Sequence, residues 1–379
     1  MSDTSRRSEL TRRRLLAASA AASAAALALR LGLGGPSGTA HVQDTDWAAA
    51  PDMTKAKERA AEIVTYGIPD DWANYGEVFK AFQASLGVVG GKHTDTDMSS
   101  LEEITKFDAE KSNPVAQVAD IGMLWGRVAE EKAVVPAYLP PNAESLPEGY
   151  KAVDGGWVAT FAGVPAFVVN TDVVTTLPAT WADLLKPEFK GKIGSAGDPR
   201  TSGTAQATLL AWTYAAGGDS TNLEPGVEFS KQIIQSYNPA DASLDLLAKG
   251  EIVLWMRYDF NCAAAVNELK EKGINAQVVI PGVSVYAPSA IMANRYNASK
   301  VDSTKMLLDY VLGDEAAALF AKFGARPIKY VLGQIELPEE ARANWLPDED
   351  YAEVVVIEDF TGIDAEAITT LWDEDVLGG

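Results

Sequence analysis

From Glu62 onward, short apolar runs alternate with helical stripes, and that alternation restricts the chain to a mixed α/β fold with parallel strands. Residues 62–68 form an apolar, β-branched run stopped by Pro69, as in a buried strand. Residues 75–86 then carry Val78, Phe79, Phe82 and Leu86 at helical spacing. A second helix is expected over 99–110, where Ser99 and Ser100 stand three residues ahead of Glu102 and Glu103, a capping arrangement. Residues 120–125 read as another short strand.

A second pattern of the same kind follows the Pro140-Pro141 loop. It runs through a strand at 164–170, whose proline suits a sheet edge or a crossing between lobes. A short helix at 181–185, a strand start at 192–194 and a long helix at 202–215 come next. Strands at 252–256 and 275–280, a return strand at 286–294 and helices at 303–312 and 314–323 complete the series. At roughly 150 residues per domain, the length suits two domains once a leader is removed. Lobes of that size bury a core without staples, and the single cysteine, Cys262, excludes an intrachain disulfide. It lies in the moderately apolar run 260–266 and reads as buried filler.

Residues 5–35 read as an export leader. Arg12, Arg13 and Arg14 precede Leu15 and Leu16, and an Ala/Leu-rich run continues to Leu29 before Arg30 closes it. The run is shorter than the ~20 residues that span a bilayer, and the twin arginine followed by leucines resembles a twin-arginine export signal. Gly38 with Ala40, or Ala48 with Ala50, offer cleavage sites, and 36–51 reads as a polar linker. The only cysteine lies far downstream, so no lipoprotein anchor is expected, and the processed protein should be soluble in the periplasm or outside the cell. The six arginines of the first 40 residues, set against Asp3 and Glu9, move the formal charge of the remainder from −21 to about −25. Such a surface disfavours nucleic acid and anionic lipid.

Enzyme classes narrow quickly. His41 and His93 are the two histidines, so a triad or zinc centre would rest on His93 alone. Neither a G-x-S-x-G elbow nor a Gly-Lys-Ser/Thr phosphate loop occurs. No catalytic residue, metal or cofactor is assigned. A secreted hydrolase working through paired carboxylates is the alternative carried.

Several motifs together resemble the extracellular solute-binding proteins of ABC importers, the bilobal type that includes ferric-ion, polyamine and phosphonate binders. They are Tyr66-Gly67-Ile68-Pro69-Asp70-Asp71-Trp72, Asn113-Pro114 before Ala119-Asp120-Ile121, and Phe167-Val168-Val169-Asn170-Thr171. Further on come the block from Pro178-Ala179-Thr180-Trp181 to Lys190-Gly191-Lys192, then Asp198-Pro199-Arg200-Thr201-Ser202-Gly203-Thr204-Ala205, and Leu308-Asp309-Tyr310. The resemblance implies two α/β lobes joined by two hinge crossings, near 166–170 and 285–293, that close over a ligand. Residues 51–165 and 285–379 would form one lobe and 166–284 the other, after a leader and linker at 1–50. The implied partners are a small-molecule ligand and a membrane permease, with no nucleic acid, the protein itself being a monomer.

In open α/β sheets ligands bind beyond the carboxyl ends of strands. That rule selects Asp70 and Trp72 after the first strand, Thr94 and Asp95 before the next helix, and Trp125. In the other half it selects Ser202, Gly203 and Thr204 at a helix start, and Arg257, Tyr258 and Asp259, with Tyr286 nearby in the pattern. Ferric binders of this type place adjacent tyrosines near position 258. Here Tyr258 is followed by Asp259 and Phe260, so the phenolate pair is missing. Carboxylates beside aromatic faces suit an ammonium ligand, and an organic cation such as a polyamine is preferred, ahead of a phosphonate or sugar phosphate and of ferric ion.

Overall fold

The computed structural model describes residues 47–378 except 364; the leader and most of the linker lie outside the described residues. The strands are β1 (Glu62–Tyr66), β2 (Lys92–Thr96), β3 (Val118–Gly122), β4 (Trp157–Gly163), β5 (Pro165–Asn170) and β6 (Ile193–Gly194). They continue with β7 (Leu254–Tyr258), β8 (Ala276–Val279), β9 (Ser284–Ala293), β10 (Arg326–Pro327) and β11 (Val354–Val356). They build two sheets. One is ordered β10-β4-β9-β3-β1-β2, with β11 pairing to β9, and the other is β6-β7-β5-β8.

The β1–β2 and β1–β3 pairs are parallel, as the strand–helix alternation requires, whereas β9 returns antiparallel between β3 and β4. Helix Tyr75–Ser85 turns Val78, Phe79 and Phe82 inward, the stripe read from the sequence. Helix Ser100–Ala109 carries the expected capping box between Ser99 and Glu102. β5 is not an edge strand: it pairs with both β7 and β8, and Pro165 is its first residue, where a missing N–H costs little.

The chain passes between the sheets immediately before the segments expected to cross. The first passage is at 163–165, between β4 and β5, and the second at 280–284, between β8 and β9. Ser284 Oγ donates to Pro165 O at 2.9 Å and ties the two passages together. A third passage was not expected. After β11, residues 365–377 form a helical segment whose Trp372 and Val376 pack on Val227 of helix Glu224–Ile233, and Asp373 pairs with Arg200 at 2.7 Å. The end of the chain therefore rests on the half that carries the smaller sheet, not on the half assigned to 285–379.

Asp259 is the strongest tie between the halves. Its Oδ1 accepts from Val164 N at 2.9 Å, and its Oδ2 meets Arg326 Nη1 at 3.1 Å and Tyr351 Oη at 2.6 Å. Both members of the ion pair are buried. Asp259→Asn leaves the Arg326 charge buried and uncompensated, so a loss of about 3–5 kcal/mol is expected in urea unfolding. A change below about 1 kcal/mol would show that the pair does not hold the halves.

Trp47, expected in the linker, is buried against Tyr138, and Lys305 Nζ donates to Ala49 O at 2.7 Å. Trp47→Ala should cost about 2–4 kcal/mol by the same measurement, within the range of large-to-small core changes.

Candidate functional site

A cavity of about 190 Å³ lies between the two sheets, beyond the carboxyl ends of β1, β3 and β7. β1 delivers Gly67, Pro69 and Trp72 to its wall, β3 delivers Asp120 and Gly122, and helix Ser100–Ala109 delivers Ser100 and Glu103. The facing wall is Ser202, Gly203, Thr204 and Tyr258. Ser202 caps helix Gly203–Ala215 by accepting from Ala205 N.

The halves approach closely here. A Cβ on Gly122 would stand 2.5 Å from the Cα of Gly203, and one on Gly203 would stand 2.6 Å from the Cα of Gly122. Gly67 is also required as glycine, with φ +65°, because the Glu103 carboxylate lies over the place a side chain would take.

The cavity is acidic. Glu103 and Asp120 are 1% and 6% exposed; Glu103 Oε2 has no hydrogen-bond partner among the described residues, whereas the Asp120 carboxyl has the Ser289 and Tyr75 hydroxyls as weak neighbours. Asp120 Oδ1 accepts from Trp72 Nε1 at 3.0 Å. Burial holds both carboxyls well above their ordinary range, and mutual repulsion with Asp120, Asp95 and Asp97 raises Glu103 further. Asp97 at the mouth is raised by partial burial and by neighbouring acids. Among the described residues, no Lys, Arg or His lines this cavity. Aromatic faces close one side: Trp72 meets Tyr258 at 6.2 Å and Phe260 at 5.6 Å between ring centres, and Tyr258 stacks on Phe260.

A second cavity of about 400 Å³ adjoins the first, shares Trp72 and Thr204 with it, and carries Arg257, Trp255, Asn238 and Asn261. The guanidinium carbon of Arg257 lies 4.4 Å from the Trp255 ring centre, and Trp255 Nε1 is held by Ser195 O at 3.1 Å.

Of the residues selected from sequence, Trp72, Ser202, Gly203, Thr204 and Tyr258 lie on the first cavity wall and Arg257 on the second. The other six lie elsewhere. Asp70 is exposed and pairs with His93 Nδ1 at 2.6 Å. Thr94 and Asp95 belong to edge strand β2, not to a loop; Thr94 faces outward, and Asp95 accepts from Thr65 Oγ1 and Ile68 N, which shapes the turn after β1. Trp125 is core, because the strand ends at Gly122 and a 3₁₀ turn folds the ring inward. Asp259 is consumed by its Arg326 and Tyr351 partners. Tyr286 stacks on Tyr351, away from both cavities.

Glu103 and Asp120 were missed as wall residues. Their signal was present: Glu103 shares the i, i+3/i+4 face of Ser100, Ile104 and Phe107, and Asp120 interrupts an apolar strand. A charged residue on a face that must be buried calls for a partner.

A family model described as bacterial extracellular solute-binding protein matches residues 116–354. No curated protein matches the chain. Among solved structures, the chain is similar to the periplasmic binding protein AfuA from Actinobacillus pleuropneumoniae with fructose-6-phosphate bound, at 18% identity and a TM-score of 0.63, over 84% of this chain and 98% of that one. A ferric binding protein from Campylobacter jejuni aligns at 16% identity and a TM-score of 0.60, over 82% and 98%. A spermidine/putrescine ABC transporter protein from Listeria monocytogenes aligns at 15% and 0.59, over 84% and 98%. At such identities the likeness establishes a shared fold, and the two-lobed α/β architecture expected from the sequence is the one these proteins have.

The raised carboxyls make stability depend on pH. In the unfolded chain Glu103 and Asp120 lose their protons near pH 4, whereas the folded protein holds them to higher pH. Their contribution is therefore most favourable at low pH and is lost as pH rises through the raised values. Glu103→Gln should gain stability relative to the parent as pH is raised from about 4 to about 8. A pH-independent difference in urea midpoint between the two proteins would contradict this.

Proposed function

We propose that this chain, which belongs to the bacterial extracellular solute-binding protein family, captures a small ammonium-bearing solute between its halves and delivers it to the permease of an ABC importer. The observation that carries the ligand class is the pair of buried carboxyl groups, Glu103 and Asp120, Glu103 with an unpartnered oxygen, on a cavity wall without a basic side chain among the described residues. An organic ammonium group favours the ionised form of these raised carboxyls, gives the Glu103 oxygen a donor and lies against the faces of Trp72 and Tyr258. Ferric ion fits less well. Burial keeps the Tyr258 phenol well above its ordinary range and hence protonated, and no second tyrosine lines the cavity. A simple sugar phosphate would bring its charge beside two acids. Nothing in the site or the family favours the carboxylate hydrolase.

In this reading the segments 163–165 and 280–284 act as hinges, with 51–165 and 285 onward in one lobe, 166–284 in the other, and the terminal helix 365–377 docked on the second. The protein works as an exported monomer without a catalytic role. Buried Trp47 favours leader cleavage after Ala40 over cleavage after Ala50, since the latter would remove an anchored residue.

Mass spectrometry of solute released from the native protein should find an amine. Glu103→Gln and Trp72→Ala should each weaken its binding about tenfold or more, while the unliganded fold persists. A phosphorylated sugar bound equally well by the parent and Glu103→Gln would overturn the ligand class.

Closure has its own test. Gly203 begins a helix, where alanine carries no helical penalty, yet a methyl there meets the Gly122 backbone. Gly203→Ala should abolish ligand-induced compaction in small-angle scattering. Compaction equal to the parent's would refute closure through this contact.

A further inference from the structure

The acidic cavity accounts for one end of a ligand, but it does not account for Arg257. That side chain is half-buried in the adjoining cavity, forms no ion pair or hydrogen bond among the described residues, and lies over the Trp255 ring. No acid pairs with it: Asp241 lines the same cavity and Asp71 acts on it electrostatically, both are exposed, and neither forms an ion pair with it. A guanidinium partly withdrawn from water and without a counter-charge is placed at a cost unless something anionic meets it. Its planar fork, fixed on the indole, suits two oxygens of a carboxylate, sulfonate or phosphonate.

The two cavities share Trp72 and Thr204, so one molecule can occupy both. We infer that the solute is a compact zwitterion, with its ammonium group against Glu103 and Asp120 and its anionic group against Arg257. This rests on the ammonium reading above and extends it. Each charged end then meets a group of opposite sign that has no ion-pair partner among the described residues. The two cavities together fall within the range of ordinary small-molecule sites, roughly 300–1,000 Å³. A diamine of the same length would set its second ammonium beside Arg257, which discriminates against polyamines.

The test is calorimetric titration of the full chain with β-alanine, γ-aminobutyrate, 6-aminohexanoate and aminoethylphosphonate, each compared with the matched alkylamine, diamine and acid. At least one zwitterion should bind about tenfold or more tightly than its matched amine and diamine. Arg257→Gln should bring the zwitterion down to its matched alkylamine and let the diamine bind more tightly as the repulsion is lost, and Glu103→Gln should weaken amine and zwitterion alike. Thermal melting of each unliganded variant identifies loss of fold, and Arg257→Lys, which keeps the charge, should restore part of the zwitterion's advantage if Arg257→Gln is unstable. Amine and zwitterion binding equally, with Arg257→Gln without effect, would overturn the zwitterion and leave the ammonium reading standing. Binding of the acids alone, or of none of these probes, would overturn both.

Discussion

The geometry of the cleft depends on one buried ion pair between the halves. Asp259 opens the helix that follows β7, and Arg326 sits in β10 of the other sheet. Arg326 lies between two rings, its guanidinium carbon 3.5 Å from the Tyr351 ring centre and 4.3 Å from that of Trp345. Asp259 also holds Val164 at the first passage between sheets twice: its backbone N donates to Val164 O at 2.8 Å, and its carboxylate accepts from Val164 N at 2.9 Å. A buried pair of this kind adds little net stability over apolar residues of the same size. Its consequence is positional. The residue before Asp259 is Tyr258, on the cavity wall, and two residues before it stands Arg257, so the pair sets where both face the opposite half.

Set beside Asp259, the two cavity acids show how burial separates structure from site. Asp259, Glu103 and Asp120 are all buried carboxyls, and burial raises all three. Asp259 recovers the cost through an arginine, a phenol and a backbone N–H. Asp120 has one indole and other weaker neighbours, and Glu103 has an oxygen with nothing to accept. Fold stability alone does not select that arrangement, since a glutamine or an apolar residue would cost less at either place. A guest that brings positive charge converts the unfavourable burial into affinity, because the desolvation has already taken place before it arrives.

Much of the fold was legible because it rests on local periodicity. The inward stripe of helix Tyr75–Ser85, the Ser99–Glu102 box and the Ser202 cap are each written within one or two turns of chain. The site was less legible because its meaning lies in distant partners. Asp259 looked like a cleft ligand until Arg326, 67 residues on, took one of its oxygens. Thr94 and Asp95 looked like a loop because their strand is an edge strand of polar residues, whose alternation follows exposure and not core contact. The packing of the terminal helix was not legible for the same reason. The apolar contacts of Trp372 and Val376 reach back to Val227, and nothing in the local pattern states which surface they will meet.

The charge of the whole molecule bears on the same question. At −21 overall, with the six arginines of residues 1–40 included, the chain surrounds its cleft with a negative field. That field draws cations inward and slows simple anions, an effect on encounter that fades with salt. A lone guanidinium inside such a molecule would be satisfied at the surface by any of many carboxylates. Arg257 is instead fixed on the Trp255 face and kept from them, and Trp255 is in turn fixed by the Ser195 carbonyl. A solute with both charges approaches with little net force upon it and gains from the two ends only once it lies between them. In the zwitterion proposal, selectivity comes from the spacing of opposite charges across the cleft, whose walls approach at the bare backbones of Gly122 and Gly203.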